Sequence, residues 1–181
     1  MRGILHTKYS AKEVNAAVFD LNPTKASGLY EFQAIFFQKS SGMIRGDVTK
    51  VCLSILNGFL SIREFNDMNV LLIPKVKNHV ELKDFCLISL CSVIYKIVTK
   101  VMVSRLKGIL PNIISPYQFP FVLGRQIYDN FLVAFESLHS LGLKKSETIG
   151  QMALKLDMSK AYDKVEWAFL TVVIKKMNFP S

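Results

Sequence analysis

Apolar residues at helical spacing fill most of this sequence, and only two short stretches have the character of β-strands. MNVLLIP (residues 68–74) is rich in branched aliphatic residues and closed by a proline, and MALKLD (residues 152–157) alternates apolar and polar residues. Helices are expected at residues 10–19, 29–39, 48–60, 89–110, 130–141 and from 159 onward. A chain with so few strands is predicted to fold as a helix-rich α/β or α+β protein.

The balance of charge favours a polyanionic partner. Lys and Arg number 23 against 14 Asp and Glu, which gives a formal net charge of +9. Such an excess attracts RNA, DNA or an anionic membrane surface. The apolar stretch VCLSILNGFLSI is interrupted by polar residues and is too short to cross a bilayer. We therefore expect no membrane-spanning segment and no secretory signal, and an intracellular location in the nucleus, the cytoplasm or both.

Three cysteines, an odd number without a Cys-x-x-Cys pair, indicate neither a disulfide framework nor a structural zinc site. A metal site built from His79, Cys86 and Cys91 would have a spacing that matches no common zinc pattern. We expect three buried thiols.

The expected helix at residues 89–110 carries a basic stripe. Lys96, Lys100 and Lys107 fall within one narrow arc of this helix, so they form either a solvated basic face or a set of phosphate contacts. Arg105 lies inside the apolar arc of the same helix. Its stem is expected to reach solvent, or its guanidinium to have a buried partner.

KLDMSKAYDKVEW (residues 155–167) places Asp157 at the end of the second expected strand and directly before a helix. Strand ends are common positions for active-site residues of α/β sheets, and carboxylate oxygens suit Mg²⁺. A two-metal site needs more than one carboxylate, however, and Asp163 and Glu166 lie across the turn and in the helix. From spacing alone, Asp157 is either a metal ligand or a residue that caps a turn.

Four blocks of the sequence, in this order, resemble the reverse transcriptase domain of plant LINE-type (non-LTR) retrotransposons. They are LLIPKVKN, the block from DFCLISL to ISPYQ, FVLGRQIYDNFLVAFESLH and MALKLDMSKAYDKVEW, of which the last looks like motif A. The resemblance implies a partial right-hand polymerase of the α+β class within residues 1–181, with an N-terminal helix region (1–20), a fingers-like part (21–150) and the start of the palm (151–181). It also implies RNA-templated DNA synthesis by two-metal nucleotidyl transfer, with Mg²⁺, dNTPs, an RNA template and a DNA primer.

The resemblance assigns roles to particular residues. Asp157 matches the family's first catalytic aspartate, which binds both Mg²⁺ ions, and the Met158 carbonyl would lie beside it. Tyr162 matches the aromatic residue that stacks under the incoming sugar and discriminates against a 2′-hydroxyl. Lys75 matches a fingers lysine that approaches the triphosphate. The simpler alternatives are a packing role for Tyr162 and a solvated strand-end charge for Lys75.

A loop before the expected helix at 130–141 presents Arg125, Asp129 and Asn130, which match a fingers loop that touches template or primer. The alternative is local, because either Asp129 or Asn130 is suited to cap the helix.

The sequence departs from the family pattern at several positions. Ser27 to Glu31 replaces a Pro-Gly-Pro-Asp-Gly turn, Cys86 stands where the family has an arginine, and Leu123 replaces a proline. A thiol lacks the charge-assisted hydrogen bonds that an arginine gives to phosphate. Motifs B and C, with the Asp-Asp pair of motif C, do not occur within residues 1–181.

The expected function is therefore a reverse transcriptase fragment that is inactive by itself, with the missing half of the polymerase as a further partner. The alternatives are a non-catalytic basic RNA- or DNA-binding remnant, and a fragment without a stable function whose cut sheet exposes an unpaired edge.

Overall fold

The structure is a computed structural model of the 181-residue chain, and it describes residues 5–28, 31–118, 122–143, 152–156, 158, 161–177 and 179. Over these residues the protein is helix-rich and of the α+β class, with one two-stranded antiparallel sheet. The chain divides into two compact units, residues 7–105 and residues 1–6 together with 106–181.

The helices and strands have the following bounds. The α-helices are α1 (Ala11–Phe19), α2 (Ala34–Lys39), α3 (Ser41–Leu56), α4 (Val93–Lys107), α5 (Leu110–Ile113), α6 (Ile127–Leu143) and α7 (Trp167–Lys176). The strands are β1 (Asn69–Pro74) and β2 (Phe85–Leu90). Short 3₁₀ helices occupy Ile62–Phe65, Leu82–Asp84 and Ala161–Lys164.

Helix α1 begins and ends where the sequence predicts. The backbone N–H and the hydroxyl of Ser10 both donate to the Glu13 carboxylate at 2.8 Å. This contact fixes the first turn, because Glu13 satisfies a backbone donor that has no partner within the helix.

The core of the unit formed by residues 7–105 lies among α1, α3 and α4. Its most deeply buried side chains come from all three helices: Val14, Cys52, Ile97, Val98 and Val101. The spacing of apolar residues in α3 and α4 predicts the faces that these two helices bury.

The first expected strand is confirmed as β1, but a second strand next to it was missed. Residues 89 and 90 were predicted to open a helix, whereas they end β2, which pairs with β1 in the register Leu71↔Ile88 and Leu72↔Leu87. Both faces of this hairpin carry apolar residues, so the two-residue alternation that identifies a strand is absent from the sequence of β2.

Helix α4 starts at Val93 because two side chains satisfy its first backbone donors. Ser92 Oγ accepts from the N–H of Tyr95 at 3.1 Å and donates to the carbonyl of Phe65 at 2.8 Å. The Glu31 carboxylate accepts from the N–H of Val93 at 3.0 Å, a favourable place for a negative charge at a helix N-terminus.

Two other helices begin earlier than predicted. Helix α3 begins at Ser41, so Asp47 lies inside it, and α6 begins at Ile127, so Asp129 and Asn130 are not its N-cap. In both cases the apolar periodicity indicates the helix only from its second turn, because polar residues in the first turn resemble a loop in sequence.

The second expected strand is not formed over its described residues. Residues 152–156 belong to no strand, and Met152, Leu154 and Leu156 are exposed. A strand needs a neighbour to accept its backbone hydrogen bonds, and the strands of the described part of the chain pair only with each other. The alternation of apolar and polar residues is compatible with a strand, but it does not supply a neighbouring strand to pair with.

Candidate nucleotide and nucleic-acid site

Lys75 follows β1 directly and begins the loop that joins β1 to β2. Its backbone N–H donates to the Asp84 carbonyl at 2.7 Å, and its exposed ammonium donates to the Lys83 carbonyl at 3.4 Å. Backbone N–H groups of Glu81 and Val80 donate to the Asp84 carboxylate and hold its pKa below the ordinary value, and the charge of Lys75 adds to that effect. The hairpin thus presents an accessible positive charge.

The predicted catalytic segment is only partly described. Asp157 lies outside the described residues, and Met158 is described and exposed. Tyr162 belongs to the 3₁₀ helix Ala161–Lys164. Because residues 152–156 form no strand, the assignment of Asp157 depends on the family motif and not on a palm strand.

Within the described ranges, no three His, Cys, Asp or Glu side chains converge on a point where a metal ion would bind. The residues that the structure describes therefore do not assemble the magnesium site that the family implies, and Asp157 is not among them. His79 packs edge-on against Phe85, with ring centroids 4.7 Å apart.

The expectation of three buried thiols is wrong in part. Cys52 is buried, Cys91 is half-buried and Cys86 is exposed. Cys86 lies on β2 opposite Ile73, in a hairpin whose faces are uncovered in the described part of the chain.

The basic stripe of α4 makes contacts within the unit formed by residues 7–105. Lys96 Nζ donates to the Ala26 carbonyl at 2.5 Å, and Lys100 Nζ lies 2.6 Å from the Asp20 carboxylate. Lys107 is exposed. Two of the three lysines therefore hold local structure, and the phosphate contacts predicted for the stripe stay a prediction.

Arg105 has the buried partner that its sequence position allowed. Its guanidinium reaches both oxygens of Glu13, at 2.6 and 3.0 Å, and the carbonyls of Thr7 and Lys8 at 2.6 and 3.0 Å. The ring of Tyr9 lies 3.6 Å from its central carbon. Arg105 therefore ties α4 to the start of α1.

Arg125 is held by backbone carbonyls. Its guanidinium donates to the carbonyls of Ser115 at 2.5 Å, Gln118 at 2.6 Å and Ile114 at 3.3 Å. Gly124, with φ of 81°, lets the chain turn immediately before it. These contacts give Arg125 a structural role that the loop assignment did not foresee.

The other two loop residues lie inside α6. The Asp129 carboxylate accepts from the backbone N–H of Gln126 at 3.3 Å, which stabilises the start of the helix, and Asn130 is half-buried. Sequence reasoning also missed Tyr117, an exposed residue on the turn that Arg125 holds. The signal was the SPYQ tetrapeptide, in which proline favours the second position of a turn.

Helices of the described ranges do not reach the length and apolar character that a bilayer crossing requires.

The family described as "Reverse transcriptase (RNA-dependent DNA polymerase)" matches residues 73–181, more than half of the chain. This chain belongs to the reverse transcriptase family. The match begins at the end of β1 and includes the Lys75 loop, the basic stripe, Arg125 and Asp157. Reverse transcriptases are generally metal-dependent, and nucleic acid and dNTPs are their general partners.

This reverse transcriptase chain is also similar to "Transposon TX1 uncharacterized 149 kDa protein" of Xenopus laevis, with 33% identity over 108 residues. The similarity covers 60% of the chain and 8% of that relative. The chain thus corresponds to a small part of a long transposon protein.

Proposed function

We propose that the chain forms the fingers and the start of the palm of a non-LTR reverse transcriptase of the LINE type, within the boundaries 1–20, 21–150 and 151–181 given above. The reaction of the complete enzyme is RNA-directed DNA synthesis by two-metal nucleotidyl transfer. The observation that carries this proposal is the family match over residues 73–181, which includes the motif KLDMSKAYDKVEW. The similarity to a transposon protein supports the non-LTR assignment.

In this proposal Asp157 supplies a carboxylate to Mg²⁺, Met158 lies beside it and Tyr162 contacts the sugar of the incoming nucleotide. Lys75 approaches the triphosphate. The exposure of its ammonium and its place at the end of the hairpin support that role, because a compact charge on an open loop is accessible to phosphate.

We further propose that residues 1–181 do not polymerise DNA by themselves. No Asp-Asp pair occurs in this sequence, so Asp157 lacks the companion carboxylates that a two-metal site requires. A polypeptide carrying those carboxylates is the partner that the proposal demands, and an intracellular location follows from that role.

A nucleotide-binding assay tests the role of Lys75 without requiring turnover. A fluorescent dNTP with Mg²⁺ is titrated into the 181-residue protein, and Lys75→Ala should weaken binding about tenfold, the loss of one charge-assisted contact. Lys77→Ala, in the same exposed loop, is the matched control. Equal affinities for the two variants would contradict the assignment of Lys75.

A primer-extension assay tests the proposed incompleteness. The purified 181-residue protein, given Mg²⁺, dNTPs and a primed RNA template, should yield no product. Template-dependent synthesis that Asp157→Ala abolishes and Asp163→Ala leaves intact would show that the chain is catalytically complete.

The net charge of +9 supports a second candidate, a non-catalytic nucleic-acid-binding module. Phosphate contacts would then dominate, so affinity for RNA and DNA should fall steeply with salt and depend little on sequence. Absence of any shift of RNA or DNA in a gel at low salt would rule this candidate out.

A further inference from the structure

A short turn at residues 115–118 is fixed by its own backbone. The N–H of Gln118 donates to the carbonyl of Ser115 at 3.0 Å, which closes a four-residue turn with Pro116 in its second position. The hydroxyl oxygen of Ser115 accepts from the N–H of Tyr117 at 3.4 Å.

The side chain of Arg125 stabilises this turn. One guanidinium nitrogen donates to the carbonyls of both Ser115 and Gln118, the two ends of the turn, and the other donates to Ile114 just before it. The guanidinium is planar and rigid, so these three bonds fix the turn at several points at once. They also place a positive charge directly beside it.

Tyr117 lies on this turn, and 84% of its surface is exposed. A single exposed aromatic residue is ordinary on a protein surface. This ring differs because the turn that carries it is closed by its own backbone and bonded by the guanidinium of Arg125. Tyr128, 75% exposed, lies on α6 beside Asp129 and is not part of this turn.

We propose that the ring of Tyr117 stacks on an unpaired base of single-stranded nucleic acid, while the charge of Arg125 attracts the neighbouring phosphate. An aromatic face next to a cation is the combination that single-strand-binding proteins use, and a pre-positioned ring loses little conformational entropy on binding. The net charge of +9 favours a polyanion such as a nucleic acid over a basic or apolar protein as the partner. The inference rests on the proposed nucleic-acid binding and adds a contact residue outside Lys75, Asp157 and Tyr162.

The test uses the 181-residue protein and 12-nucleotide RNA and DNA strands that contain 2-aminopurine, whose fluorescence is quenched by stacking. Wild-type protein should quench the probe. Tyr117→Ala should bind about tenfold more weakly and quench little, whereas Tyr117→Phe should retain both properties. Tyr128→Ala is the matched control and should behave as wild type.

Three further measurements separate stacking from a change in folding or charge. The salt dependence of binding should be the same for Tyr117→Ala and wild type, since no phosphate contact is lost. Arg125→Lys, which keeps the charge but not the planar fork, should reduce quenching because the turn is no longer held. Circular dichroism should show unchanged helix content in both variants.

The inference would be overturned if Tyr117→Ala bound and quenched the probe as wild type does. It would also be overturned if wild-type protein bound a strand of abasic sites as tightly as the intact strand. Those results leave the proposed function intact. A wild-type protein that binds neither RNA nor DNA would remove the proposed nucleic-acid binding and the stacking contact together.

Discussion

Removing the guanidinium of Arg105 should destabilise the unit formed by residues 7–105 more than removing any exposed charge. The Arg105 side chain is 7% exposed and meets both carboxylate oxygens of Glu13. In Arg105→Met, the aliphatic stem stays buried, but Glu13 and the carbonyls of Thr7 and Lys8 lose the hydrogen bonds that the guanidinium donates. Breaking one partner of a buried pair costs about 3–5 kcal/mol.

The partial exposure of Glu13 lowers that figure. Its side chain is 34% exposed, so water replaces part of the lost interaction, and we expect a loss of about 2–3 kcal/mol in the free energy of unfolding. The pair of half-buried Lys100 and exposed Asp20 provides the comparison. Lys100→Met removes the same unit of charge from the same helix and should cost less than about 1 kcal/mol.

The same contact should make stability depend on pH. The hydrogen bonds from Arg105 are the main cause that lowers the pKa of Glu13 from 4.5 to about 2. Because the folded-state pKa is depressed, the stabilisation is fully present above about pH 4.5 and is lost as the pH falls towards 2. The difference corresponds to roughly 3 kcal/mol at most, and solvent screening of a one-third exposed carboxyl reduces it to about 1–2 kcal/mol.

Urea unfolding followed by circular dichroism at pH 7 and pH 3 measures both effects. Wild type should lose stability between the two pH values, and Arg105→Met should lose less, since the main cause of the depressed pKa of Glu13 is removed. A double-mutant cycle with Glu13→Gln should give a coupling energy above about 1 kcal/mol. A coupling near zero, or equal losses for Arg105→Met and Lys100→Met, would refute the reasoning.

Three other outcomes follow from single contacts. Ser92→Ala removes the cap of α4 and should cost about 1 kcal/mol in urea unfolding, whereas Ser104→Ala on the exposed face of that helix should cost under about 0.5. Burial raises the pKa of Cys52 to about 11, so a thiol reagent at pH 8 should modify Cys86 quickly and Cys52 only in denaturant; equal rates in the folded protein would contradict the burial. The carboxyl of Asp84 should titrate below 3.8 when followed by NMR, chiefly because two backbone N–H groups donate to it, and a value at or above 3.8 would mean that this loop is open in solution.

Local sequence was sufficient where local contacts decide the structure. The Ser10 and Glu13 pair predicted the start of α1, and proline at position 74 predicted the end of β1. The spacing of apolar residues identified the core-facing sides of α3 and α4. Each of these features depends on residues within a few positions of one another, so their spacing can be read directly.

The candidate site was predicted less completely. The motif around Asp157 and the lysine at position 75 pointed to the family that the comparison with known proteins shows. The contacts of Arg125, Lys96 and Lys100 were not predictable, because their partners are backbone carbonyls or a carboxylate on other segments. Charge counts do not distinguish a lysine that meets phosphate from one that holds a loop.

The sequence by itself determined the family, the helical periods and the strongly basic character of this protein, because motifs, periodicity and charge are properties of residue order alone. Only the tertiary structure decided which strands form and which cations have partners. Residues 85–90 form a strand because they pair with β1, whereas residues 152–156 pair with no described strand. Arg105 is buried rather than solvated because Glu13 and two carbonyls, distant in the chain, together satisfy its guanidinium.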